Sequence, residues 1–168
     1  EKEFRGERFA NHDRPVQGCI DLLSITQPDT IENVHRAYLE AGSDIIETNT
    51  FNSNAISLSD YGLEGETYAI NVAAAGVARR AVEAMNRKTP DKPRFVAGSI
   101  GPTNKTASLS PDVSNPAFRS VNFDQLVQVY YDQSRALVDG GVDFLLAETT
   151  FDTLNLKACL FAIEKFFE

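Results

Sequence analysis

Three stretches place polar side chains where an apolar run stops: Asp44-Ile-Ile-Glu-Thr-Asn-Thr, Arg94-Phe-Val-Ala-Gly-Ser-Ile-Gly-Pro-Thr and Asp143-Phe-Leu-Leu-Ala-Glu-Thr-Thr. Glu148 follows three apolar residues and precedes Thr149-Thr150. A partly buried carboxylate there can accept hydrogen bonds from a substrate ammonium, or act as a general base if its pKa is raised. It can equally be a structural carboxylate satisfied by backbone N–H groups. Glu47, Thr48, Asn49 and Thr50 form a second polar row. Strand alternation puts Glu47 and Asn49 on one face and Thr48 on the other. Any one of them can instead cap the following loop. Gly98-Ser-Ile-Gly-Pro-Thr-Asn-Lys-Thr has many backbone N–H groups for a carboxylate or phosphate, but lacks Walker spacing and competes with a plain tight turn.

The remaining reactive residues offer less. His35 falls in a helix pattern and His12 in a polar leader, both read as structural or solvated. Neither Cys19 nor Cys159 has a partner at metal-ligand spacing, so no metal site is assigned. Cys159 lies in an amphipathic helix and reads as buried packing. No Ser-His-Asp arrangement or Cys/His pair is present to argue for.

The elements that position the polar strand ends alternate. Residues 1–27 read as an irregular leader broken by Gly6, Pro15 and Gly18. Thr26 is expected to cap a first helix, with Pro28 in its first turn and Ile31, Val34, Tyr38 and Leu39 at helical spacing. Gly42 ends it, and 45–49 forms a strand. A second helix spans roughly 64–87, with Tyr68, Ala69, Val72, Ala73, Gly76 and Val77 as its packing face. A strand over 95–98 precedes a long loop, 99–121, of the kind that usually carries function. Asn122 starts a third helix, with Gln125 placed for a capping box and a stripe of Leu126, Val129, Tyr130, Leu137 and Val138. Gly140-Gly141 stops it before a strand at 144–147. A fourth helix runs from Thr153, with Leu154, Ala158, Phe161 and Ala162 inward.

This order implies a parallel sheet with right-handed crossovers. Gly42-Ser-Asp44-Ile-Ile echoes Gly141-Val-Asp143-Phe-Leu and sets Asn49 against Glu148. No Gly-x-Gly-x-x-Gly turn follows a strand, which counts against a dinucleotide fold. The reading is α/β: a partial (β/α)8 TIM barrel, about half of one, in preference to a flavodoxin-like sheet. Strand C-termini form the active face of such barrels.

Composition narrows the partners. The 168 residues fit one domain, and 42% hydrophobic content suffices for a core. A net charge of −8 without a Lys/Arg cluster argues against nucleic acid and anionic membrane surfaces. No run approaches the roughly 20 apolar residues of a membrane span. The N-terminus carries no apolar signal region, and the absence of an initiator Met suggests a piece of a longer chain. Two widely spaced cysteines make no disulfide framework, so a reducing, cytoplasmic setting is the default expectation.

Four segments together carry a family resemblance: Phe4-Arg-Gly-Glu-Arg-Phe; Asp44-Ile-Ile-Glu-Thr-Asn-Thr-Phe-Asn-Ser; Gly101-Pro-Thr-Asn-Lys-Thr-Ala-Ser-Leu-Ser-Pro-Asp-Val; and Glu148-Thr-Thr-Phe-Asp-Thr-Leu-Asn. They resemble the homocysteine-binding domain of cobalamin-dependent methionine synthases, over essentially the whole chain. The resemblance implies a (β/α)8 barrel in which zinc, held by three cysteine thiolates, activates the homocysteine thiol. Methylcobalamin then donates the methyl group to give methionine, and a folate-binding module of the same polypeptide supports its remethylation. It implies that Glu148 holds the homocysteine amino group and that Thr48 and Asn49 lie near the substrate. Ser99, Gly101 and Thr103 match the loop after the third strand of the family barrel.

The chain departs from that pattern in two places. It starts after the family's first strand, and it stops before the strands carrying the zinc cysteines. Cys19 and Cys159 do not match those ligands, so zinc and cobalamin are expected to be held outside this chain. The rival readings are a homocysteine S-methyltransferase using betaine or S-methylmethionine, and an inactive barrel fragment.

Overall fold

The computed structural model describes all of residues 1–168. Its principal helices are α3 (Pro28–Glu40), α5 (Thr67–Lys88), α6 (Phe123–Asp139) and α7 (Thr153–Phe167). The strands are β1 (Ile45–Glu47), β2 (Phe95–Ile100) and β3 (Phe144–Ala147). Short helices α1 (Lys2–Arg5), α2 (Leu23–Thr26) and α4 (Ala55–Leu58) complete the order. The strands pair in parallel as β1-β2-β3, with Glu47 opposite Ala97 and Ile100 opposite Ala147. Three parallel strands alternating with helices are the partial barrel expected from the sequence. No helix is long and apolar enough to cross a membrane.

The sheet has two unlike faces. Ile46, Val96 and Ile100 turn toward the helices. Ile46 and Val96 pack with Leu39, Ala78, Val82 and Met85, and Ile100 with Leu126, Tyr130, Leu137 and Ala158. Ile45, Phe95 and Phe144 turn the other way and remain 40–50% exposed. Phe144 and its strand are therefore less buried than a central parallel strand, because β3 pairs only with β2.

Three helix starts show how far local sequence reaches. Asn122 caps α6: its side chain accepts from Gln125 N at 2.9 Å, and Gln125 Oε1 accepts from Asn122 N at 3.0 Å. That is the expected capping box. Thr26 does not cap α3. It lies inside α2 and donates to Leu22 O, so Gln27 takes the cap position without a side-chain bond. Asp152 caps α7, which begins at Thr153 as expected, by accepting from Leu154 N and Asn155 N. The repeated Gly-x-Asp turn is real: Gly42 and Gly141 both adopt positive φ, 110° and 92°, which a Cβ would disfavour.

Tertiary packing corrects other expectations. The leader runs through turns between residues 6 and 19, yet it carries α1, α2 and a buried cluster of Phe9, Val16, Cys19 and Leu22 against Leu58, Leu63 and Ile70. The buried face of α5 is Ile70, Asn71, Ala74, Ala75, Ala78, Ala81, Val82 and Met85, with Val77. Of the six residues expected on that face, only Val77 is buried, because small residues occur all round this helix. On α6, Val129 and Val138 are only half-buried, whereas Gln133 and Ser134 are buried. Phe161 is 51% exposed, its ring resting 6.1 Å from Phe123. On α3, Ile31 and Leu39 are buried, while Val34 and Tyr38 are largely exposed along a groove of about 610 Å³ beside β1.

Candidate functional site

The strand ends meet at one corner of the open face. β3 delivers Glu148 one residue beyond Ala147, and Glu148 N donates to Ile100 O, extending the ladder. Its Oε1 accepts from Ser99 Oγ at 2.5 Å and its Oε2 from Thr149 Oγ1 at 3.2 Å. Thr149 has φ 52°, a region β-branched residues avoid, and follows directly on Glu148. Strain of that kind concentrates at functional sites.

Glu47 enters the same corner from β1. Its pKa is raised first by partial desolvation, then by the charge of Glu148 and by a hydrogen bond between the two carboxyls. No Lys or Arg lies within ion-pair distance of either, although Asp44, Glu32 and Asp143 all have basic partners. Like carboxylates placed together favour one shared proton, or a cation between them. Asn49 is on the Glu47 face, as alternation requires, and its Nδ2 donates to Ile20 O and Ser24 Oγ. It thereby ties the leader to the strand end.

The other expected residues lie elsewhere. Thr48 is buried on the helix side; its Oγ1 accepts from Ser99 N at 3.0 Å and shares a 2.6 Å bond with Thr50 Oγ1. Thr50 Oγ1 in turn donates to Ser99 O, so these threonines clamp Ser99 from behind. Gly101 packs on backbone: a Cβ there would stand 2.5 Å from Phe51 O. Thr103 N donates to Tyr130 Oη, and Thr103 Oγ1 accepts from Asn155 Nδ2. The structure thus brings Ser99, Asn49 and Glu148 to the open side, and engages Thr48, Gly101 and Thr103 internally. Several loop amides that suggested an anion cradle are likewise taken: Ser99 N by Thr48 Oγ1, Gly101 N by Phe51 O, Thr103 N by Tyr130 Oη, and Asn104 N by Ser57 Oγ.

Two polar residues in this region escape sequence reasoning. Asp21 is buried and accepts from Asn52 N and Ser53 Oγ, holding the loop after β1. Burial raises its pKa, against the pull of those bonds. Asp152 ties Ser108 to α7. Nothing in their local sequence marks either contact.

The donor set does not fit zinc. No three His, Cys, Asp or Glu side chains converge. Cys19 and Cys159 sit in different core clusters, and burial pushes their thiols up to about 11 and about 12. A cysteine ligates zinc as its thiolate.

Against solved structures, the chain is similar to the homocysteine methyltransferase MmuM from Escherichia coli. For the metallated form the TM-score is 0.71 at 24% identity, covering 86% of this chain and 50% of that one. For the oxidized form the values are 0.70 and 23%, covering 86% and 49%. For the apo form they are 0.66 and 23%, covering 90% and 51%. The chain therefore spans about half the length of these proteins, and at this identity the likeness speaks for the fold. Sequence carries the assignment further: residues 2–167 match the homocysteine S-methyltransferase model, and the chain belongs to that family.

Proposed function

We propose that these residues form the amino-acid-binding part of an enzyme that methylates the thiol of homocysteine. Glu148 carries the reading. It is a strand-end carboxylate with each oxygen set by a hydroxyl donor and with no basic partner in the chain. An ammonium is its natural complement. Ser99 orients Glu148, and Asn49 supplies a neighbouring polar edge. Thr48, Gly101 and Thr103 act at one remove, by holding the strand end and loop in place.

The quoted segments favour a cobalamin-dependent methionine synthase. Methylcobalamin would be the methyl donor, with a folate module of the same polypeptide renewing it. Thiol activation falls to groups other than Cys19 and Cys159. Betaine and S-methylmethionine are the rival donors.

The test is methionine formation from L-homocysteine by the full-length protein, with each donor offered separately. Turnover with methylcobalamin is expected. Glu148→Gln should weaken homocysteine binding by about 1.5–3 kcal/mol, the range for a hydrogen bond to a charged group. No methionine from any donor, or unchanged affinity in the variant, would overturn the reading.

A further inference from the structure

Glu47 is the acidic group at this corner that the function above leaves unused. Alternation along β1 fixes where it points: Ile46 and Thr48 are buried toward the helices, so Glu47 faces the open side with Glu148. Beyond partial desolvation, the Glu148 carboxyl is the neighbouring charge that raises its pKa, and its own carboxyl makes no hydrogen bond to any other side chain. Ser99, between them on β2, is buried and donates its hydroxyl to Glu148 alone.

An ammonium has three N–H donors and no acceptor. Glu148 offers two oxygens, each already receiving a hydroxyl hydrogen bond. Glu47 offers a carboxylate whose oxygens have no other claim within the chain. We propose that Glu47 is a second carboxylate ligand of the substrate ammonium, and that the pair makes the site select an amino-acid thiol over the same thiol acid lacking the amine. The proposal rests on the reading that this corner binds homocysteine. An ammonium between the two carboxylates offsets the repulsion of their like charges, so no additional counter-ion is required.

The experiment uses full-length enzyme and two thiols, L-homocysteine and its des-amino counterpart 4-mercaptobutanoate. Glu47→Gln should raise KM for L-homocysteine about tenfold, as loss of a hydrogen bond to a charged group implies, with kcat little changed. The same variant should handle 4-mercaptobutanoate as the parent does, so the selectivity ratio falls by about the same factor. Glu47→Asp, which keeps the charge on a shorter stem, should retain part of the ratio. Equal losses on both thiols would mark a merely structural role and overturn the proposal, as would an unchanged ratio. If Glu148→Gln loses homocysteine while Glu47→Gln does not, only the second-ligand assignment fails. If Glu148→Gln is also silent, the homocysteine reading fails with it.

Discussion

Ser99 Oγ donates a 2.5 Å hydrogen bond to Glu148 Oε1, joining the end of the middle strand to the end of an edge strand. The bond is supported from behind. Thr48 Oγ1 accepts from Ser99 N and Thr50 Oγ1 donates to Ser99 O, fixing both backbone groups of the serine. The serine is itself buried, so its hydroxyl has little freedom to turn to solvent.

Ser99→Ala should therefore leave the fold intact and free Glu148 to reorient. Homocysteine binding should weaken by about 0.5–1.5 kcal/mol, the net worth of an ordinary hydrogen bond, and by less than in Glu148→Gln. Titration calorimetry on the full-length enzyme checks the order. A serine variant as impaired as the glutamate variant would mean that Ser99 meets the ligand itself.

The two thiols should be inert. Burial raises Cys19 to about 11 and Cys159 to about 12, leaving almost no thiolate near neutrality. In native enzyme at pH 8, iodoacetamide should spare both residues, and both should alkylate after denaturation. Mass spectrometry of the two peptides reads this directly. Native alkylation of either at the rate of free cysteine would refute the buried assignment.

What the sequence disclosed follows the range of the interactions concerned. The Asn122–Gln125 capping box is made within one turn, so its residue types declare it. Alternation along β1 needs only a strand, and it put Glu47 and Asn49 on one face. The face of α5 was hidden because Ala and Val surround the helix, and only the sheet and neighbouring helices choose among them. The leader shows no period, yet Phe9, Val16 and Leu22 find Leu58 and Ile70 in the fold. The meeting of Glu47 with Glu148 depends on two crossover connections, and no local pattern signals it. Thr48 matched a family position by resemblance, but its hydroxyl serves Ser99 and Thr50.

Asp152 links loop to helix and should do so in a pH-dependent way. Burial alone would raise its pKa; hydrogen bonds from Ser108, Asn155 and Leu154 outweigh that and hold it below the usual aspartate value. The unfolded chain therefore takes up the proton first as pH falls. The stabilisation is complete above the ordinary aspartate range and is lost on descent through the lower folded pKa. At neutral pH, Asp152→Ala should cost about 1–2 kcal/mol, as loss of a helix cap does. Hydrogen exchange should quicken at Ser108, Leu154 and Asn155, whose amides bond to the carboxylate. Unchanged protection at those amides would rule out the tether.

Thr149 offers a test in which stability and binding move in opposite directions. Its φ of 52° places a β-branched side chain in the left-handed region, at a cost of about 1–2 kcal/mol that glycine avoids. Its hydroxyl, 3.2 Å from Glu148 Oε2, is the return on that strain. Thr149→Ala removes the hydroxyl and keeps the strain, whereas Thr149→Gly removes both. Both variants should weaken homocysteine binding to a similar extent. The glycine variant should nevertheless be the more stable of the two by about 1–2 kcal/mol, less the extra chain entropy glycine loses on folding. Thermal unfolding of the two full-length variants, alongside their KM values for homocysteine, separates the effects. A glycine variant that melts below the alanine variant would remove the strain from the account, and parental KM values in both would remove the hydroxyl.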